Sequence, residues 1–307
     1  MTAMPKYRLS AAGRTLELGD RPLLMGIVNA SPDSFSDGGR YRTLAQRVEL
    51  AVELSQAGAD ILDVGGESAI TDRAPVGEDE EIERVVPLIE RLVAELDTPV
   101  SVDTYKPAVA RAALAAGAAI VNDVSGLRDP ELAEVCAATG AALVVMHTRA
   151  APKQRLQDPA LYQNIVEEVL SFLGERIAVA QRKGMTHEQL IVDPGPDFAK
   201  TPAQTIELLG DLARLHELGC PLLMAISRKD FIGALTGRPP RERLPGTLAA
   251  LAHGVWQGAH IFRVHDVAAA HDYLAVRSAL AGHEAPSRDL TLAEELRYDE
   301  PSADGSL

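Results

Sequence analysis

The sequence predicts an α/β protein, a (β/α)8 TIM barrel with an N-terminal β-hairpin. Short apolar runs alternate with longer segments whose apolar residues recur at spacings of three and four. This happens eight times between Leu23 and His260, with a mean period of about 34 residues. No GxGxxG follows the first apolar run, so an open doubly wound sheet, the runner-up, lacks its dinucleotide fingerprint. Strict βα alternation with unbroken apolar strands means a parallel sheet buried on both faces, and eight such units fit a closed barrel.

The elements follow in order. Tyr7 to Leu18 alternates around Ala12-Gly13 and predicts a hairpin that plugs the amino-terminal mouth of the barrel. The first barrel strand, Leu23 to Val28, stops at Asn29 and empties into a loop of Ser, Pro, Asp and Gly around Phe35. A helix over Leu44–Gln56 follows, with Gly58 just past its end. The cycle then repeats. Strands are expected at Ile61–Val64, Val100–Asp103, Ala119–Asn122 and Ala142–Met146, then at Leu190–Val192, Leu222–Ile226 and His260–Val264. Helices are expected near Asp79–Leu96, Pro107–Ala116, Asp129–Thr139, Ile165–Lys183 and Pro202–Leu218. Helical segments lie between Phe231 and Gln257, and a last helix runs to about Leu280. The expected domains are a hairpin extension (1–22), the barrel (23–282) and an acidic, disordered tail (283–307) with at most a short helix near Leu292–Arg297.

Composition bounds the partners. A formal net charge of −14 argues against nucleic acid or an anionic membrane as the main partner, because both repel acidic surfaces. A local cluster of Arg, Lys and His still leaves room for an anionic small substrate. The two cysteines, Cys136 and Cys220, lack CxxC spacing and indicate neither a disulfide framework nor a zinc site. The first ten residues have no apolar signal-peptide core, and the longest uncharged run, Val135 to Thr148, is about 14 residues, too short to span a bilayer. A soluble, cytoplasmic protein is expected.

In a parallel barrel the carboxyl ends of all strands meet at one mouth. The residues there are Asn29, Asp63, Asp103, Asn122 with Asp123, Met146 with His147, Asp193, Lys229, and Arg263 with His265. Taken singly each has a plain explanation: an Asp after a strand is more often a helix N-cap than a catalyst. Together they sort by chemistry. Asp103, Asn122 and Asp193 suit the edge of a flat heterocycle, since carboxylates accept from ring and amino N–H groups and an amide does both. Lys229 suits a ring carbonyl or nitrogen. Arg263 and His265 lie two apart on an extended segment and, with Asn29 and the loop amides, make an anion site.

At this point the motifs have a parallel. The sequence resembles the dihydropteroate synthase family, pterin-binding (β/α)8 enzymes of folate synthesis. The likeness runs from MGIVNASPDSFSDGGRY at Met25 through GADILDVGGES, SVDTYKPAVA, IVNDVSG, VMHTR, DPGPDFAKT and SRKDFIG to RVHDV at Arg263. The resemblance implies a transferase of an alkyl or aryl group other than methyl. It would join 6-hydroxymethyl-7,8-dihydropterin diphosphate to p-aminobenzoate, giving 7,8-dihydropteroate and pyrophosphate. By position, Asp103, Lys229 and Arg263 are its catalytic residues. Asp103, Asn122, Asp193 and Lys229 would hold the pterin, with Met146 and Phe198 lining its pocket. Asn29, Arg263 and His265 would hold the diphosphate, with Mg²⁺ at Asn29, and Ser227, Arg228 and Phe35 would bind p-aminobenzoate. A homodimer and sulfonamide competition are expected from the family alone.

The chain departs from the family pattern in places. The second loop usually reads GESTRPGA, whereas here it is Gly66-Glu67-Ser68-Ala69-Ile70-Thr71-Asp72-Arg73-Ala74. Pro196-Asp197 and Ala199 in DPGPDFAKT, and Ala225 before Ser227-Arg228-Lys229, are smaller departures. Two alternatives therefore stand beside the synthase: a catalytically silent pterin-binding paralogue, and a pterin-dependent methyltransferase on the same barrel.

Overall fold

A computed structural model describes residues 4–30, 43–67, 74–283 and 286–297, the side chain of Glu295 excepted. The hairpin comes first: β1 (Tyr7–Ala11) and β2 (Arg14–Leu18) pair antiparallel, with Ala11 opposite Arg14. Both turn residues, Ala12 and Gly13, have positive φ (50° and 81°). That is the two-residue turn whose twist matches the flanking strands.

The barrel strands are β3 (Leu23–Asn29), β4 (Ile61–Gly65), β5 (Val100–Asp103), β6 (Ile120–Asp123), β7 (Ala142–Met146), β8 (Leu190–Asp193), β9 (Leu223–Ala225) and β10 (Ile261–Val264). They pair in parallel in the order β8-β7-β6-β5-β4-β3-β10-β9. A parallel bridge between Val192 and Leu222 brings the two edges together and closes the ring. The expected (β/α)8 barrel is what forms.

Side chains on each strand alternate between the barrel interior and the helix layer. The lower interior is filled by Met25, Ile61, Ile120, Val144, Ile191 and Ile261, against which Leu9, Ala11 and Leu18 of the hairpin pack. The hairpin is thus the plug of the amino-terminal end. The alternate positions, among them Leu24, Leu62, Val121, Leu143 and Phe262, are equally buried, as a strand covered on both faces requires.

The helices are α1 (Leu44–Gln56), α2 (Glu78–Glu95), α3 (Pro107–Ala115), α4 (Glu131–Thr139), α5 (Ile165–Arg182), α6 (Pro202–Gly210), α7 (Asp230–Thr236), α8 (Leu244–Trp256) and α9 (Val267–Leu280). Reciprocal capping boxes start two of them, Thr43 with Gln46 and Thr201 with Gln204. Asn164 caps α5 through the amides of Val166 and Glu167, both at 3.1 Å. One expectation is corrected: Pro202–Leu218 is not a single helix. It ends at Gly210, Asp211 leaves helical geometry (φ −121°, ψ 29°), and Leu212–Leu218 continues as 3-10 turns. Gly and Asp are both poor helix formers, and side by side they break the run.

The chain divides into two compact units, 1–271 with the hairpin and barrel, and 272–307. The second contains the end of α9 and a 3-10 turn at Glu294–Leu296. The remainder of the expected tail lies partly outside the described residues. Among the described residues no helix is long and apolar enough to cross a membrane.

Candidate active site

The residues two places beyond the apolar interior layer form the next layer up. Ile61 is followed by Asp63, Ile120 by Asn122, Val144 by Met146, Ile191 by Asp193, and Ile261 by Arg263. With a period of two, each pair faces the same interior. Asp63 is the hub: its Oδ2 accepts from Asn122 Nδ2 at 3.0 Å and from Arg263 Nε at 2.6 Å. Arg263 also donates through Nη2 to Asp103 Oδ2 at 2.8 Å. Asp63 Oδ1 is buried with no hydrogen-bond partner. Four strands thereby contribute to one hydrogen-bonded cluster of charge.

Burial sets the electrostatics here. It pushes the Asp103 carboxyl up to about 7, against Arg263 and with help from Asp63, Glu81 and Asp123. Asp193 is pushed up by burial to about 6, despite the Gly195 amide at 2.7 Å and the nearby Lys229. Arg263 loses solvation by burial, but Asp63 and Asp103 override that and raise its pKa, so it stays charged. Buried carboxyls pushed up beside a guanidinium that stays charged are the pattern of a candidate functional site.

The loops after β7, β8 and β9 enclose the other side. Gly195 has φ 65°, and a Cβ there would lie 2.2 Å from the His147 carbonyl oxygen, so only glycine fits. Beneath it Lys200 is fully buried and donates to the carbonyls of Gly195 (2.9 Å), Phe198 (3.0 Å) and His147 (3.3 Å), with His147 Nδ1 at 2.8 Å. Burial lowers Lys200 to about 7, and burial with Lys200 beside it lowers His147 well below the usual imidazole range. His147 is therefore a neutral acceptor inside the scaffold, with its ring edge-on to Phe172 at 4.9 Å. On the mouth side of the same loop, the Phe198 ring lies 4.2 Å from Lys229 Nζ.

The remaining expected residues divide into groups. His265 and Ser227 are joined twice, Nδ1 to Oγ at 2.9 Å and amide to Oγ at 3.2 Å. Arg228, in left-handed backbone at φ 59°, donates Nε (3.1 Å) and Nη2 (2.7 Å) to the Asp266 carboxylate. Arg263 and His265 thus face different partners, and the arginine is shared between Asp63 and Asp103, the latter expected to hold the heterocycle. Met146 is buried beside Asp193 in the β7–β8 register. Asn29 ends β3 opposite Gly65. Phe35 and the loop residues Ser68 to Arg73 lie outside the described residues. Asp123 turns away from the mouth: its carboxylate accepts from the amides of Ser125 and Leu127, a local loop cap.

Two features escaped the sequence reading. Lys200 is one, because an isolated lysine before a helix cap reads as solvated in sequence. The second is a buried ion cluster below loop two. Lys106 Nζ meets Glu67 at 2.8 Å, Glu81 at 2.5 Å and the Val76 carbonyl at 2.7 Å, and Lys153 meets Glu67 at 3.0 Å. The signal for it was Lys106 at the entry to an apolar helix, where a lysine finds little water.

The family model for pterin binding enzymes matches residues 25–265, which take in every barrel strand but the first two residues of β3. The chain belongs to the pterin-binding enzyme family. It is 43% identical to the dihydropteroate synthase of Synechocystis sp. over 271 residues, 87% of this chain and 93% of that one. Among solved structures it is similar to Xanthomonas albilineans dihydropteroate synthase with 4-aminobenzoic acid (TM-score 0.83, 46% identity, 90% of this chain and 99% of that one). The same enzyme in complex with 7,8-dihydropteroate gives a TM-score of 0.79 at 46% identity, covering 89% and 98%. The Asp63–Asp103–Asn122–Arg263 cluster lies within the matched residues.

Proposed function

We propose that this pterin-binding enzyme is a dihydropteroate synthase of folate biosynthesis, joining 6-hydroxymethyl-7,8-dihydropterin diphosphate to p-aminobenzoate. What supports the reading is that Asp103, Asn122, Asp193, Lys229 and Arg263, from five separate βα units, lie close together: Arg263 bonds Asp103 and, through Asp63, meets Asn122, with Asp193 and Lys229 in its field. Hydrogen-bonding groups of both signs along one wall suit the donor and acceptor edge of a pterin. Met146 and Phe198 are the proposed apolar contacts of the ring.

The chemistry follows from that placement. The C–O bond to the diphosphate breaks with its electron pair, and pyrophosphate leaves. Arg263, kept charged by two carboxylates, is the proposed cation for that separation, and His265, held apart by Ser227, a proposed hydrogen-bonding neighbour of the diphosphate. The pterin-methyl cation is delocalised into its own ring and sits by Asp103. The neutral aniline nitrogen of p-aminobenzoate then attacks the methylene carbon and gives up a proton; it needs position more than activation. Ser227, Arg228 and Phe35 are its proposed neighbours.

Among the described residues no cluster of three or more His, Cys, Asp or Glu is arranged to hold a metal. A single amide oxygen at Asn29 fits an ion that arrives on the substrate's diphosphate, since Mg²⁺ keeps most of its shell for phosphate and water. When bound, Mg²⁺ would offset the charge of the leaving group. A cytoplasmic homodimer belongs to the same proposal. It is expected from the family alone, and light scattering of the purified chain tests it.

The decisive assay is pyrophosphate release from the pterin diphosphate, p-aminobenzoate and Mg²⁺, with inhibition by a sulfonamide competing for the p-aminobenzoate subsite. No release refutes the synthase. Pterin binding without release favours the silent paralogue, the reading supported by Ala69 and Ile70 in loop two.

A further inference from the structure

The loop after β8 carries a second charged residue with partners on other elements. Asp197 has φ 65°, in the left-handed region. Its Oδ2 accepts from the amides of Asp230 (2.6 Å) and Phe231 (3.3 Å), the first two residues of α7. Its Oδ1 accepts from the Thr205 hydroxyl on α6 at 3.1 Å, and that hydroxyl accepts from the Asp197 amide at 3.0 Å. One carboxylate therefore ties the β8 loop to α6 and to the start of α7. Lys229 is the residue immediately before α7, and Phe198, under its ammonium, is the residue immediately after Asp197. From below, Lys200 holds the same loop by the carbonyls on either side of Asp197, those of Gly195 and Phe198.

We propose that Asp197 is a positioning residue for the pterin site, locking the start of α7 to the β8 loop so that the Lys229 ammonium is held over Phe198. A carboxylate on two amides and a hydroxyl is a strong, directional tie, because charge-assisted hydrogen bonds are shorter and stronger than neutral ones. It fixes two contacting residues from consecutive βα units by their backbones rather than their side chains. Asp197 also faces Lys229 electrostatically. Burial lowers the Lys229 pKa, Asp197 and Asp193 oppose that, Arg263 adds to it, and Asp230 opposes it. The buried Lys200 is a further cation in the field of Lys229.

This inference rests on the reading that Lys229 binds the pterin, and the experiment separates the two. The affinity for dihydropterin diphosphate is measured by calorimetry across the neutral to alkaline range for wild type, Asp197→Gly, Asp197→Asn and Lys229→Ala, with the KM for p-aminobenzoate as internal control. Glycine accepts the left-handed backbone at 197, so that variant keeps the loop conformation while losing the tie. Asp197→Gly is expected to weaken pterin binding about tenfold, leaving the p-aminobenzoate KM within about twofold. Asp197→Asn keeps an acceptor oxygen for the amides but loses the charge. It is expected to bind nearly as well at neutral pH, with the alkaline loss of binding moved to lower pH. That movement is something a plain helix cap would not produce. If Lys229→Ala binds like wild type, the reading and the inference both fall. If Lys229→Ala loses the pterin while Asp197→Gly retains it, or Asp197→Asn leaves the alkaline limb in place, the inference alone is overturned. Should Asp197→Gly not fold, the Asn variant's limb decides.

Discussion

The two ends of the barrel are made by the same strands under opposite rules. At the amino-terminal end Leu9, Ala11 and Leu18 of the hairpin meet Met25, Ile61, Ile120, Ile191 and Ile261, and the layer is mostly apolar, with Ser101 of β5 buried among it. Two residues further along, the same strands present Asp63, Asn122, Asp193 and Arg263, joined by Asp103. The lower layer removes hydrocarbon from water and stabilises the fold. The upper layer holds a buried carboxylate oxygen without a partner, that of Asp63, where the lower layer leaves only the neutral Ser101 hydroxyl so. The difference teaches that a strand's period of two lets stability and chemistry be stacked within one pleat of each other, each free to obey its own demands.

Four experiments would break or sharpen that contrast. Leu9→Ala removes a fully buried side chain from the plug and should cost ~3 kcal/mol of unfolding free energy in urea titrations. Turnover per folded molecule should be unchanged; a loss of turnover would mean that the two ends are coupled. Asp103→Asn, at the other end, should leave the urea midpoint close to wild type and reduce pyrophosphate release by more than about tenfold, ~1.4 kcal/mol in the barrier. Lys229→Ala should weaken pterin binding by at least ~1.4 kcal/mol, read by calorimetry; wild-type affinity would remove it from the site.

The smallest effect is in pH. Asp193 is raised from 3.8 to about 6 in the folded state. The folded chain therefore binds a proton that the unfolded chain has released, and this contribution is fully present below the unfolded value. It is lost as pH rises through about 6. Stability should decline across that window, and Asp193→Asn should flatten the decline. An unchanged slope in the variant would assign it to another group.

Much of this arrangement was legible in the residues themselves. The strand ends read clearly because an apolar run that stops at Asp103, Asn122 or Asp193 is a local signal, and the hairpin read clearly because Ala12-Gly13 suits one turn. Pairings were not legible. Arg263 and Asp103 are 160 residues apart, and only the closed sheet decides that the guanidinium settles between carboxylates instead of beside His265. Lys200 escaped for the same reason: its four acceptors come from two loops that meet only in the folded chain. The break at Gly210-Asp211 was visible in composition, yet the apolar spacing through Leu218 outweighed it.

The ring is stitched least firmly between β8 and β9, where a single bridge, Val192 to Leu222, stands in place of a ladder. Asp193 and Lys229 flank that seam. A flat guest gripped by both would lie across that bridge and add a second tie between the two strands the ring joins most thinly.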